Sequence, residues 1–92
     1  MQGQLTKIAQ NLGADLVGFC DLGVSPVKEL PTLRYGVSIA VKLSDAVLKT
    51  IENAPSFVYF QHYRTANTLL DSIAFRLAQT IEKQDFLAMP IA

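Results

Sequence analysis

One segment of this 92-residue chain gathers side chains that could do chemistry. Residues 59–67 (YFQHYRTAN) place the single histidine, His62, beside Tyr63, Arg64 and Asn67. Arginine can clamp a carboxylate or a phosphate through two parallel hydrogen bonds, and histidine can carry a proton near neutral pH. If the segment is helical, His62 and Arg64 are two residues apart and point to different sides. We predict His62, Tyr63, Arg64 and Asn67 as candidate cofactor contacts, and we assign no catalytic residue.

The same residues also have purely structural interpretations, which the pattern favours. His62 fits a partly buried histidine that is hydrogen-bonded at the edge of a helix, and Arg64 fits an ion pair or an interface contact. Tyr59 and Tyr63 lie one helical turn apart and fit aromatic packing. No second acid, base or nucleophile lies nearby in the sequence to complete a catalytic set.

Other classes of site find no support in the sequence. Cys20 is the single cysteine, which leaves no disulfide framework, zinc set or iron–sulfur ligand series. The acidic residues are scattered, without the close spacing that gathers a metal ion, and no glycine-rich phosphate loop is present. We expect no metal site and no nucleotide site in this chain.

The first half of the chain supplies part of the scaffold for the candidate residues, and its pattern predicts a helix followed by two strands. Apolar residues at steps of three and four predict a helix over 4–12, which Gly13 ends. The short apolar run 15–22 predicts a strand, and the strict alternation over 36–43 predicts a second. Between them, residues 23–35 contain Pro26 and Pro31 and predict a surface loop that is long enough to be functional.

The second half of the chain predicts two helices and a last strand. Ser44 fits the cap of a short helix over 45–52, and apolar spacing predicts a long helix over 57–83. The apolar segment 86–91 predicts a third strand. We therefore predict one domain, 1–92, with an α/β (α+β) fold: a small sandwich of about three strands and about three helices, with the long helix packed across the sheet. Such a thin sheet has open edges, which a symmetric dimer could cover.

The amino-acid composition limits the kinds of partner that the chain can bind. Hydrophobic residues make up 50% of the chain and charged residues 17%, so some apolar surface should meet another protein surface. The 8 basic and 8 acidic residues form no run of one sign, which argues against direct nucleic-acid binding. No stretch is long and apolar enough to span a bilayer, and no secretory leader is visible, so we expect a cytoplasmic protein.

Three segments resemble the N-terminal domain of epoxyqueuosine reductase-like iron–sulfur proteins. They are residues 13–19 (GADLVGF), 36–47 (GVSIAVKLSDAV) and 59–74 (YFQHYRTANTLLDSIA). In that family this domain resembles the cobalamin-binding, nitroreductase-like domains of reductive dehalogenases, and a ferredoxin-like domain with two four-iron clusters follows it. The resemblance implies that this chain is truncated before the cluster-bearing half. His62, Tyr63 and Arg64 lie where relatives have an aromatic and basic helix start, but in a different order.

The resemblance gives two hypotheses for function. The first is a non-catalytic binding or assembly module, which pairs as a homodimer or with a partner iron–sulfur domain. The alternative is a corrinoid- or flavin-binding subunit of a reductase, which receives electrons from a separate iron–sulfur protein. It would hold its ligand in a groove between loop 23–35 and the start of the long helix. No cofactor is expected in this chain itself, and cobalamin enters only through the resemblance.

Overall fold

The first helix ends in a turn that directs the chain into the sheet. The computed structural model describes residues 1–51 and 56–91. Helix α1 spans Gln2–Asn11, as the spacing of its apolar residues predicts. Gly13 has a φ of 116°, and the N–H groups of Gly13 and Ala14 donate to the carbonyls of Gln10 and Ala9. This paired capping pattern closes the helix, and its left-handed position favours glycine.

Two strands follow and pair with each other in an antiparallel hairpin. Strand β1 spans Leu16–Asp21 and β2 spans Tyr35–Ala40, with Gly18 opposite Ser38 and Cys20 opposite Gly36. The connection between them is the predicted loop. Asp15 stabilises the other end of the hairpin, because its Oδ2 accepts from the backbone N–H of Lys42 at 2.6 Å. Both predicted strands are confirmed, and β2 ends earlier than predicted.

The long helix dominates the second half of the chain. Ser44 accepts from the N–H of Val47 and caps α2, which spans only Asp45–Leu48. The rest of the predicted helix 45–52 is not helical up to residue 51, and residue 52 lies outside the described residues. Helix α3 spans Phe57–Glu82 and confirms the predicted long helix. Its 26 residues correspond to roughly 39 Å at the rise of an α-helix.

The hairpin and the two longer helices form two layers with one small core between them. The core contains Leu5, Ala9 and Ala14 from the α1 region, with Ile73 and Leu77 from α3. Its margin consists of partly buried apolar residues from both layers: Ile8, Val17, Phe19, Ile39, Val41 and Ile81. The α+β fold with a long helix packed on the sheet is therefore confirmed.

The predicted third strand is wrong. Residues 86–91 adopt no strand conformation, and the sheet of the described residues has two strands. Asp85 takes a φ of 67° just beyond α3, so the backbone departs from helical geometry before this segment begins. An apolar run becomes a strand only where an edge supplies hydrogen-bond partners, and in this structure the segment pairs with neither strand of the hairpin.

The molecule is long and thin for its mass. Its extents are 46 × 28 × 17 Å and its radius of gyration is 15.6 Å. A compact domain of this length has a radius of gyration of about 12 Å. No helix among the described residues combines the length and apolar character needed to cross a membrane.

Candidate functional site

The start of α3, which carries the candidate residues, is attached to α2 by polar contacts. Ser56 caps α3, because its Oγ accepts from the N–H of Tyr59 at 3.1 Å. The Oγ atoms of Ser56 and Thr50 lie 2.8 Å apart, and Thr50 donates its hydroxyl to the carbonyl of Val47. The Ser56 hydroxyl therefore donates to Thr50, since each hydroxyl has a single proton.

His62 lies on the side of α3 that faces α2. Its Nε2 accepts a hydrogen bond from the backbone N–H of Ser44 at 2.9 Å, and the side chain is half-buried. Nε2 is therefore the unprotonated nitrogen, and in the neutral ring the proton lies on Nδ1. This arrangement confirms the interpretation of His62 as a partly buried histidine hydrogen-bonded at the edge of a helix. The hydrogen bond from Ser44 also occupies Nε2, which would otherwise be available to accept a proton from a ligand.

The other three candidates lie on the exposed side of the same helix. Tyr63 is 49% exposed, and Arg64 and Asn67 are also exposed. Tyr59 and Tyr63 pack against each other with ring centroids 6.0 Å apart and ring planes tilted by 35°, as their spacing predicts. Among the described residues no acidic side chain pairs with Arg64. Tyr63, Arg64 and Asn67 are thus exposed on α3, whereas His62 is half-buried against Ser44.

The loop between the strands forms a shallow depression of its own. Residues 23–34 enclose about 310 Å³, lined by Gly23, Val24, Ser25, Val27, Lys28, Pro31 and Arg34. No residue of α3 contributes to this lining. Arg34 is already engaged, since it lies 3.6 Å from Asp21 and donates to the Tyr35 hydroxyl. This depression is therefore confined to the loop and does not extend to the start of α3.

The most distinctive surface lies on the hairpin, on the face that points away from the helices. We call it the bare face; it consists of Leu16, Gly18, Cys20, Gly36, Ser38 and Ala40. These residues alternate with Val17, Phe19 and Ile39, which pack against the core. A shallow depression of about 350 Å³ lies at one end, between the Leu16–Gly18 and Ser38–Ala40 stretches. Leu16, Cys20, Ser38 and Ala40 on this face are exposed.

Small side chains make the bare face flat. A Cβ on Gly36 would lie 2.9 Å from the Sγ of Cys20, and a Cβ on Gly18 would lie 3.1 Å from the Oγ of Ser38. Any larger residue at position 36 would therefore force the Cys20 side chain to shift. The sequence contains a signal for this surface, because small residues alternate with large ones in β2.

The described residues offer little for metal binding or for a large cofactor. They contain no group of three or more histidine, cysteine or acidic side chains placed to share a metal ion. Residues His62, Tyr63, Arg64 and Asn67 line neither of the two depressions. The arrangement provides an arginine, a tyrosine and an amide on an exposed helix surface, which can donate hydrogen bonds to an acidic group but enclose nothing.

Comparison of the chain with protein-family models, with curated proteins and with solved structures gives no match. The likeness to epoxyqueuosine reductase-like proteins therefore rests on the three sequence segments alone.

Proposed function

We propose that this chain is a non-catalytic binding or assembly module that presents apolar surface to another protein. The observation that carries this proposal is its exposed area of 6882 Å². A compact monomer of 10.1 kDa exposes about 5,300 Å². The excess is roughly 1,600 Å², whereas each partner of a standard stable interface covers roughly 800 Å².

The chemistry of the exposed residues supports the same conclusion. Leu16 on the bare face is 70% exposed, and Val24, Tyr35, Phe57 and Ile91 are each at least 67% exposed. Single exposed apolar residues are ordinary, but large groups of them mark interaction surfaces. With 17% charged residues, the chain has few polar groups with which to solvate them.

The resemblance indicates where such a module belongs. It supports a relative of the N-terminal domain of epoxyqueuosine reductase-like proteins, which pairs with a second copy or with an iron–sulfur domain. A single cysteine suits the reducing cytoplasm, where we place the protein. Reductase chemistry itself is not carried over, because two four-iron clusters need about eight cysteines.

A dye that fluoresces on apolar surface, together with light scattering, tests the proposal. We expect the purified chain either to self-associate or, as a monomer, to bind the dye strongly. Leu16→Ser should reduce dye binding, whereas Gln79→Ser, at an exposed helical position, should not. A monomer that binds no dye would contradict the proposal.

A second measurement addresses the alternative of a corrinoid- or flavin-binding subunit. Cobalamin or flavin is added to the purified chain, and free ligand is then removed by gel filtration. We expect no retained absorbance, because His62 is engaged with Ser44 and the exposed residues around Arg64 enclose no ligand. If the wild-type chain retains the chromophore and Arg64→Ala does not, the result supports the corrinoid- or flavin-binding subunit and contradicts the assembly module.

A further inference from the structure

The segment 86–91, which we call the arm, is an apolar strand sequence without a sheet. It contains no charged residue, and Phe86, Leu87, Met89 and Ile91 are between 46% and 71% exposed. It leaves α3 through the left-handed residue Asp85, near the start of α1, where Gln84 donates to Gln4 at 3.0 Å. In this structure the arm does not pair with either strand of the hairpin in its own chain.

The hairpin has the complementary feature, which is an unprotected edge. Strand β2 pairs only with β1, so its other edge has free backbone donors and acceptors within the described structure. Proteins usually protect such edges with charged residues, proline or a bulge. The six residues of β2 include neither charge nor proline. Strand β1, in contrast, ends on Asp21, which lies 3.6 Å from Arg34.

Pro90 makes the arm suitable for pairing on one side only. In an extended segment, alternate residues direct their N–H and C=O groups to opposite edges. If the amides of Leu87, Met89 and Ile91 face a neighbouring strand, the position of Pro90 faces away, where its missing N–H is not needed. The same proline then hinders further strands from adding, so the pairing closes instead of growing into a larger sheet.

We propose that two copies of this chain exchange their arms, so that each arm adds a third strand to the free edge of β2 in the other copy. The proposal rests on the proposed function and names its partner as a second copy. Exchange of an identical element is a low-cost route to a closed two-fold dimer. The excess of roughly 1,600 Å² is enough for such an interface. A formal net charge of zero means that two copies do not repel each other.

Proline substitution in the arm tests this pairing with a matched control. Light scattering over a dilution series of the full chain should give twice the monomer mass of 10.1 kDa. Met89→Pro removes an amide that faces β2 and should weaken dimerisation by at least about ten-fold. Ala88→Pro removes an amide that faces away, like that of Pro90, and should change the dissociation constant by less than about two-fold. Helix content by circular dichroism should be equal in the two variants, since the arm lies outside the core.

The outcomes separate this inference from the proposed function. A wild-type dimer that both proline variants weaken equally, or not at all, would refute arm exchange. A wild-type monomer that binds the apolar dye would also refute it, yet the assembly module would still stand. A monomer without dye binding would refute both. Val24→Asp, on the exposed loop, should leave the dimer intact, and its dissociation would assign the interface to the loop instead.

Discussion

The two halves of α3 are held in place by different interactions. The buried residues of the helix, Ile73, Leu77 and Ala78, all lie in its second half, and Ile73 and Leu77 belong to the core shared with α1. The first half has no buried residue and is attached through hydrogen bonds from Ser56 to Thr50 and from Ser44 to His62. Burial of a large apolar side chain contributes more than a typical hydrogen bond, so stability should come mainly from the second half.

This difference explains where the candidate residues lie. Tyr63, Arg64 and Asn67 occupy the half of the helix that contributes little to the core, so they can change or move at low cost to folding. The second half of α3 forms part of the core, so fewer of its residues can be replaced without loss of stability. Four substitutions, from the largest expected effect to the smallest, test whether the two halves differ as the structure indicates.

Ile73→Ala should have the largest effect. Ile73 is 1% exposed, and its truncation leaves a cavity between α1, α3 and the hairpin. We expect a loss of about 2 to 5 kcal/mol in the free energy of unfolding, measured by urea denaturation. Phe75→Ala is the matched control, since Phe75 lies in the same half but is 55% exposed. Equal losses for both would mean that the second half is not the stabilising one.

His62→Ala should have an intermediate effect in the first half. It leaves the half-buried N–H of Ser44 without its acceptor, which should cost about 1 to 2 kcal/mol in the free energy of unfolding. Gln61→Ala, at the exposed neighbouring position, should cost less than about 0.5 kcal/mol. If His62→Ala lowers the free energy of unfolding as much as Ile73→Ala does, the two halves of α3 do not differ in their contribution to stability.

Ser56→Ala should cost about 1 kcal/mol, because it removes the cap of α3 and the partner of Thr50. Ser56→Asp, which keeps a capping acceptor, should restore most of this stability. Chemical denaturation of the three proteins checks the prediction. If Ser56→Ala is as stable as the wild type, the contacts of Ser56 do not hold the first half of α3 in place.

Arg64→Ala should have the smallest effect on folding. The side chain is exposed, so we expect the free energy of unfolding to change by less than about 0.5 kcal/mol. Arg76→Ala, at another exposed position of α3, serves as the control for loss of a positive charge. A loss above about 1 kcal/mol for Arg64→Ala alone would make Arg64 a structural residue and remove it from the candidate site.

Local patterns predicted most of the elements and part of the site. The spacing of Leu5 and Ala9 predicts α1, the alternation through Val37 and Ile39 predicts β2, and Ser44 predicts the start of α2. For the site, the sequence predicts that His62 and Arg64 point apart, and the structure bears this out. It could not show that Ser44 supplies the partner of His62, because the two residues are 18 positions apart and meet only through the packing of α2 on α3.

The sequence by itself determined the places of α1, β1, β2 and α3, since the period of apolar residues acts within one element. Only the tertiary structure decided that residues 86–91 form no strand and that one face of the hairpin is bare. Both depend on neighbours: a strand requires an edge with free hydrogen-bond partners, and a face is buried only when another layer packs on it.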